Sequence, residues 1–230
     1  MERQPTDGLT MAVIARIRTP FAEKFGVPRQ SGLAPTAGRI VFEPAYREPE
    51  ALRGLEGFSH LWLVWVFDRA VRDDWSPTVR PPRLGGNQRM GVFATRSPFR
   101  PNPIGLSCVE LTAIEPDTPE GTVLHVRGAD LVDGTPILDI KPYLPYCDAR
   151  PAAKGGFTDG LTAAALTVVC PPPLLERIPE PERAGLLAVL AGDPRPRYQN
   201  DPARVYGLTY SGRNVKFTVS GEVLTVTEIL

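Results

Sequence analysis

The sequence predicts a mainly β protein, a barrel or sandwich followed by a small α+β unit. Three observations carry this reading. At least six short runs rich in β-branched and aromatic residues are separated by turns containing Pro and Gly. Only one longer stretch, ERAGLLAVLAG (182–192), has apolar residues at helical spacing. Proline accounts for 26 of 230 residues, about double the ordinary share, which favours stiff loops and opposes a helical bundle.

The elements follow in order. MAVIARI (11–17) alternates loosely and suits an edge or barrel strand; RIVFE (39–43) is a short strand; EPEALRG (48–54) reads as a helical turn or two. SHLWLVWVF (59–67) is continuously apolar, which predicts a strand buried on both faces. RMGVFAT (89–95), GLSCVELTAI (105–114) and TVLHVRG (122–128) follow as strands, and DGTPILDIKPYL (133–144) opens on a turn and runs into another. Near residue 148 the composition changes to that of a linker. Beyond it LTAAALTVVC (161–170) reads as a strand, the helix ends on Gly192 as its C-cap, and VYGLTY, NVKFTV and EVLTVTEI close the chain as hairpin-linked strands. The division is therefore an all-β domain over 1–150 and a small α+β domain over 151–230.

Composition excludes several classes. Lys+Arg and Asp+Glu both number 26, so no bulk basic field marks a general nucleic-acid binder. Three scattered Cys and two His match no metal-ligand spacing, and no apolar run has membrane-spanning length. An odd cysteine count without a signal peptide places the protein in a reducing cytoplasm, with neither metal nor membrane as partner. There is no GxxxxGK[ST] loop and no GxSxG elbow; Gly85-Gly86 is not followed by a helix, so a dinucleotide fingerprint fails on context. Ser59 and His60 are neighbours on a strand and should point to opposite faces, too far apart for a nucleophile–base pair.

One charge pattern remains. From Trp75 through Val109 there is no Asp or Glu, while Arg80, Arg83, Arg89, Arg96 and Arg100 are interleaved with Pro81, Pro82, Pro98, Pro101 and Pro103. Prolines restrict the loop before a ligand arrives, and guanidinium forks suit carboxylates and phosphates. KFGVPRQSG (24–32) gathers Lys24, Arg29 and Gln30 around one proline. The bland alternative for both is a solvated basic face. Asp130 and Asp133 fit turn chemistry equally well, and Asp139 with Lys141 fits a surface ion pair on one strand face.

The segments EKFGVPRQSGL, LEGFSHLWLVWVF, RPPRLGGNQRMGVFATRSPFRPNPIGLS, DLVDGTPILDIKPYLPY and DPRPRY, in that order, resemble the TrmO (TsaA-like) family. The resemblance is dense from about residue 11 to 146 and thinner behind. It implies a non-Rossmann β-barrel that binds S-adenosyl-L-methionine, a smaller C-terminal domain, and a homodimer with the cofactor pocket near the subunit interface. The implied substrate is threonine-accepting tRNA, methylated on N6 of the threonylcarbamoyladenosine just 3′ of the anticodon. Carried onto this chain, the resemblance assigns Pro28, Arg29, Gln30, Phe67, Asp68, Arg96, Leu106, Asp133, Gly134, Thr135 and Pro136 to the cofactor. Arg80, Arg83, Arg100, Lys141, Arg195 and Arg197 are the expected cations for the anticodon loop and the threonyl carboxylate. Asn102 would orient the substrate, and Asp133, Asp139 and His60 are candidate bases, although a hydrogen-bonded core histidine is the simpler reading of His60. The alternative from another class is a non-catalytic β-barrel RNA-binding module.

Overall fold

The computed structural model describes residues 10–72, 74–81, 88–159, 165–195 and 201–230. Six strands close into a barrel: β1 (Ala15–Arg18), β2 (Ala37–Phe42), β3 (His60–Val66), β6 (Ile104–Thr118), β7 (Gly121–Arg127) and β8 (Pro136–Pro142). Their order around the barrel is β1-β2-β7-β6-β3-β8, and β8 returns to β1 through Ala15↔Ile137, so no edge is left open. Alternation sets the interior. Ala15 and Ile17, Leu61 and Leu63, and Leu124 and Val126 point inward with Val109 and Ile137 to form one apolar core.

The expectation of a strand buried on both faces is corrected for β3. Leu61, Leu63 and Trp65 are buried, but Trp62, Val64 and Val66 are only half-buried. The outer face is partly covered because Trp62 packs against Tyr143 and donates to Asp148 (2.9 Å) in the short helix α1 (Pro145–Asp148). The reading of Ser59 and His60 is also corrected. Ser59 lies before the strand, so alternation does not govern it, and its hydroxyl sits 2.9 Å from His60 Nδ1; His60 is exposed rather than in the core. RMGVFAT is mostly not a strand. Only β5 (Met90–Gly91) pairs, with β4 (Thr78–Val79), and Val92–Ala94 is a 3₁₀ turn in which Val92 is buried and Phe93 exposed.

Behind the barrel a second core forms on a four-stranded sheet. Its order is β10 (Tyr206–Tyr210), β11 (Arg213–Ser220), β12 (Val223–Ile229) and β9 (Thr167–Val169), with β9 parallel to β12. Helices α2 (Pro172–Leu175) and α3 (Glu180–Ala191) accompany it; α3 contributes Leu186 and Leu190 to this core. Gly192 follows α3 at φ −71°, and the left-handed residue is Asp193 one position later. The β10–β11 turn, Ser211-Gly212, has positive φ at both positions, as a tight right-twisted hairpin requires.

The connection from β1 to β2 bridges the two cores. Phe21 and Ala34 belong to the second core, Ser211 N–H donates to Pro20 C=O (2.8 Å), and Gly26 (φ +89°) packs against the buried Leu208. A Cβ at Gly26 would lie 2.0 Å from Leu208 Cδ1. Gly26→Ala therefore adds left-handed backbone strain to overpacking and should cost about 2–4 kcal/mol. Thermal unfolding checks this: the midpoint should fall by several degrees, and an unchanged midpoint would contradict the bridge.

Candidate active site

Three loops meet at one end of the barrel. The β1–β2 connection is tied down by Thr19 N–H to Asp133 Oδ1 (3.0 Å), Asp133 N–H to Phe21 C=O (2.8 Å) and Gly32 N–H to Gly128 C=O (2.9 Å). Arg69, in the turn after β3, joins the loops by donating to Ala22 C=O and Asp133 C=O (3.0 Å each), and Lys24 Nζ donates to Arg69 C=O (3.2 Å). The third loop is the stiff Arg/Pro segment before β6, where Arg100 is fastened to Thr95 C=O (3.2 Å). Arg96 reaches across to donate to Gln30 Oε1, so the two basic segments singled out in the sequence touch.

Between the loops lies a cavity of about 400 Å³. Trp65, Phe67, Ile104 and Leu106 give it apolar surface, while Lys24, Arg29, Arg69, Arg96, Arg100, Asp68 and Asp130 bring both signs of charge. Small-molecule cofactors occupy cavities of about 300–1,000 Å³ with mostly apolar walls and a few placed polar groups. A zwitterion carrying an adenine, a carboxylate and an ammonium group fits such a lining.

Of the residues assigned to the cofactor, Pro28, Arg29, Gln30, Phe67, Asp68, Arg96, Leu106 and Thr135 line this cavity. Asp133, Gly134 and Pro136 do not. Asp133 stands behind the wall, its carboxylate taken by Thr19 N–H and 3.9 Å from Arg18, and Gly134 C=O accepts from Arg16 (3.1 Å). Arg100, expected as a substrate cation, lines the cavity as well. Asn102 is exposed on the loop just before β6 and is not on the lining. Arg80 is exposed beside β4. Lys141 pairs with Asp139 (2.8 Å) on the barrel wall, and neither they nor His60 reach the cavity. Arg195 spends its fork on Asp193 (2.8 and 3.0 Å). Arg83 and Arg197 lie outside the described residues.

Sequence reasoning missed a buried chain beneath the cavity. Trp65 Nε1–H donates to Ser107 Oγ (2.9 Å), and the Ser107 hydroxyl donates to Asp130 Oδ1 (2.5 Å). Burial pushes the Asp130 carboxyl above its usual range. Hydrogen bonds from Ser107 and from the Asp130 and Ser31 backbones, together with the Arg96 charge, pull the other way without cancelling the effect. Trp65 lies directly over Gly105, its cross-strand partner, where a Cβ would come within 2.2 Å of the indole. At the same residue the β3–β8 pairing slips between Val64 and Trp65, a bulge of the kind that re-aims a side chain beside a site.

Fold and cavity together define a closed β-barrel with a mixed-charge ligand cavity at one end and, among the described residues, no dinucleotide-binding sheet. Residues 16–149 match the tRNA-methyltransferase O N-terminal domain family and residues 177–230 the TrmO C-terminal domain family. The chain belongs to the TrmO family. The tRNA (adenine(37)-N6)-methyltransferase of Escherichia coli (strain K12) is 43% identical over 216 residues, covering 90% of this chain and 92% of that one. A relative from Pseudomonas aeruginosa (strain PAO1), 42% identical over 86% of this chain and 87% of its own, carries "S-adenosylmethionine-dependent methyltransferase" in its name. A crystal structure of TrmO from P. aeruginosa superposes with a TM-score of 0.79 at 33% identity, covering 99% of each chain. Among the described residues no helix is long and apolar enough to cross a membrane, and no group of three or more His, Cys, Asp and Glu could hold a metal ion.

Proposed function

We propose that this chain is an S-adenosyl-L-methionine-dependent tRNA methyltransferase that acts on N6 of adenine 37. The finer reading is that this adenine, in threonine-accepting tRNA, already carries a threonylcarbamoyl group. The carrying observation is the cavity where the PRQ loop and the Arg/Pro loop meet, in a chain matched along nearly its whole length by a relative named for that activity. The cofactor's sulfonium supplies an electrophilic methyl group.

The protein's own groups then have definite tasks. Trp65, Phe67 and Leu106 offer apolar surface for the adenine. Arg96, steadied by Gln30, offers its fork to the cofactor's carboxylate, and Asp68 at the rim faces groups that carry hydrogen to donate. The 133–136 turn supports the wall through Thr135, with Asp133, Gly134 and Pro136 beneath it. Arg100 on the cavity lining suits the threonyl carboxylate, the exposed Asn102 would orient the nucleotide, and Arg80 and Arg83 suit anticodon-loop phosphates. Lys141 and Arg195 are already paired and would need to exchange partners to take part. We assign 1–150 to the cofactor and 151–230 to a smaller domain against the tRNA. A homodimer in the cytoplasm completes the proposal, and exposed Trp75 (52%) and Phe93 (74%), 6.2 Å apart between ring centroids, support a covered apolar face.

Calorimetric titration separates this reading from a non-catalytic RNA-binding barrel. S-adenosylmethionine should bind stoichiometrically, and S-adenosylhomocysteine should displace it. A protein that binds tRNA but neither ligand would contradict the proposal.

A further inference from the structure

We infer that Asp130 is the catalytic base that takes the N6 proton during methyl transfer, with Ser107 and Trp65 as its positioning residues. The inference rests on the methyltransferase reading above.

The chemistry requires a proton acceptor. The lone pair of a carbamoylated exocyclic nitrogen spreads into the purine and the carbonyl, so bond formation must be coupled to loss of the proton. As the N6–carbon bond forms, the methyl–sulfur bond breaks with its electron pair remaining on sulfur. The N6 proton passes to the Asp130 carboxylate, which afterwards returns it to water.

Asp130 is singled out by position. Among the described residues, only Asp68 and Asp130 bring carboxylates to the cavity lining. Asp68 is exposed on the turn after β3. Asp133, Asp139 and His60, the candidates from sequence, do not line the cavity. Asp130 is also the one that is oriented. Trp65 Nε1–H occupies Ser107 Oγ as an acceptor, so the Ser107 proton is directed to Asp130 Oδ1. The Ser107 hydroxyl fixes Asp130 Oδ1, and the Asp130 and Ser31 backbones also favour the ionised carboxylate. Burial makes this carboxylate a stronger base than one at the surface.

The charged groups around it come from every neighbouring loop. They are Lys24 and Arg29 from the β1–β2 connection, Asp68 and Arg69 after β3, and Arg96 and Arg100 before β6. Of these Arg96 is the one whose charge acts on Asp130, holding its proton affinity down. The base works ionised, so activity should fall as pH drops through the Asp130 titration.

The test combines three measurements on full-length protein. Asp130→Asn should bind S-adenosylmethionine within about threefold of wild type by calorimetry. Its single-turnover methyl transfer should fall by about 100-fold or more, with the acid limb of the pH–rate profile gone. Carbon-detected NMR of the free protein should place the Asp130 carboxyl titration above those of surface aspartates. Ser107→Ala, which removes a donor to the ionised form, should move that titration and the acid limb together to higher pH. Wild-type-like transfer by Asp130→Asn overturns the assignment, as does recovery of its rate at saturating cofactor, which would make Asp130 a binding group only. Movement of the NMR titration without the acid limb overturns it too. Wild-type protein that binds S-adenosylmethionine but methylates no tRNA overturns the methyltransferase reading itself, and the assignment with it.

Discussion

Gly105→Ala is expected to unfold at a markedly lower temperature and to bind the cofactor poorly. The substitution asks for one methyl group where the indole of Trp65 already lies, 2.2 Å from the new atom. Trp65 is 6% exposed, tilted against Phe67 at 4.2 Å between centroids, and fastened through Nε1 to Ser107. Phe67 and the bond to Ser107 hold the ring in this position, so it must leave its rotamer towards the cavity or the strands must part. Overpacking of this kind costs about 1–3 kcal/mol, and a buried hydrogen bond broken on one side adds about 1–3 more. In a chain of this size each kcal/mol is worth about 2–4 °C, so the midpoint should drop by roughly 4–24 °C. The displaced ring belongs to the cavity wall, so S-adenosylmethionine affinity should fall by about tenfold or more. Calorimetry and thermal unfolding of the same preparation check both halves. A variant with wild-type affinity would mean that Trp65 does not shape the cofactor site.

Arg96→Ala should separate the two effects and produce a large binding defect in an intact fold. Arg96 is exposed, and its guanidinium donates to Gln30, another lining residue, so deletion leaves no buried group stranded. Stability should stay within about 0.5 kcal/mol of wild type. A charge-assisted bond to a carboxylate is worth about 1.5–3 kcal/mol, so affinity for S-adenosylmethionine should fall by about 10- to 100-fold. Removing this positive charge should also let the Asp130 carboxyl rise further, since Arg96 is among the groups holding it down. If Arg96→Ala binds S-adenosylmethionine normally, the pocket assignment is wrong.

The barrel strands were legible because their partners are numerous and their alternation strong. The run 89–95 was misread for a physical reason. Among the described residues only its start finds a partner strand: Met90 and Gly91 pair with Val79 and Thr78, Val92 N–H donates to Pro77 C=O, and the chain then turns in a 3₁₀ turn over Val92–Ala94. The Arg/Pro loop stood out by its missing acids, and its contact with the PRQ loop through Arg96 and Gln30 agrees with placing both in one site. Asp130 did not stand out. DLVDGTP reads as turn chemistry, and the partners that make Asp130 unusual, Ser107 and Trp65, are 23 and 65 residues away in sequence and meet it only when β3 and β6 pair. Asp133 lies off the lining because its carboxylate is held at the end of β1, accepting from Thr19 N–H and standing 3.9 Å from Arg18.

The measurement that tests the central claim most directly is transfer of labelled methyl from S-adenosylmethionine to two threonine tRNAs, one with the threonylcarbamoyl group on adenine 37 and one without it. The proposed function predicts label at that adenine in the modified tRNA alone. Label in both would remove the role given to Arg100 at the threonyl carboxylate. Label in neither, from protein that also fails to bind S-adenosylmethionine, would contradict the account and leave an RNA-binding barrel.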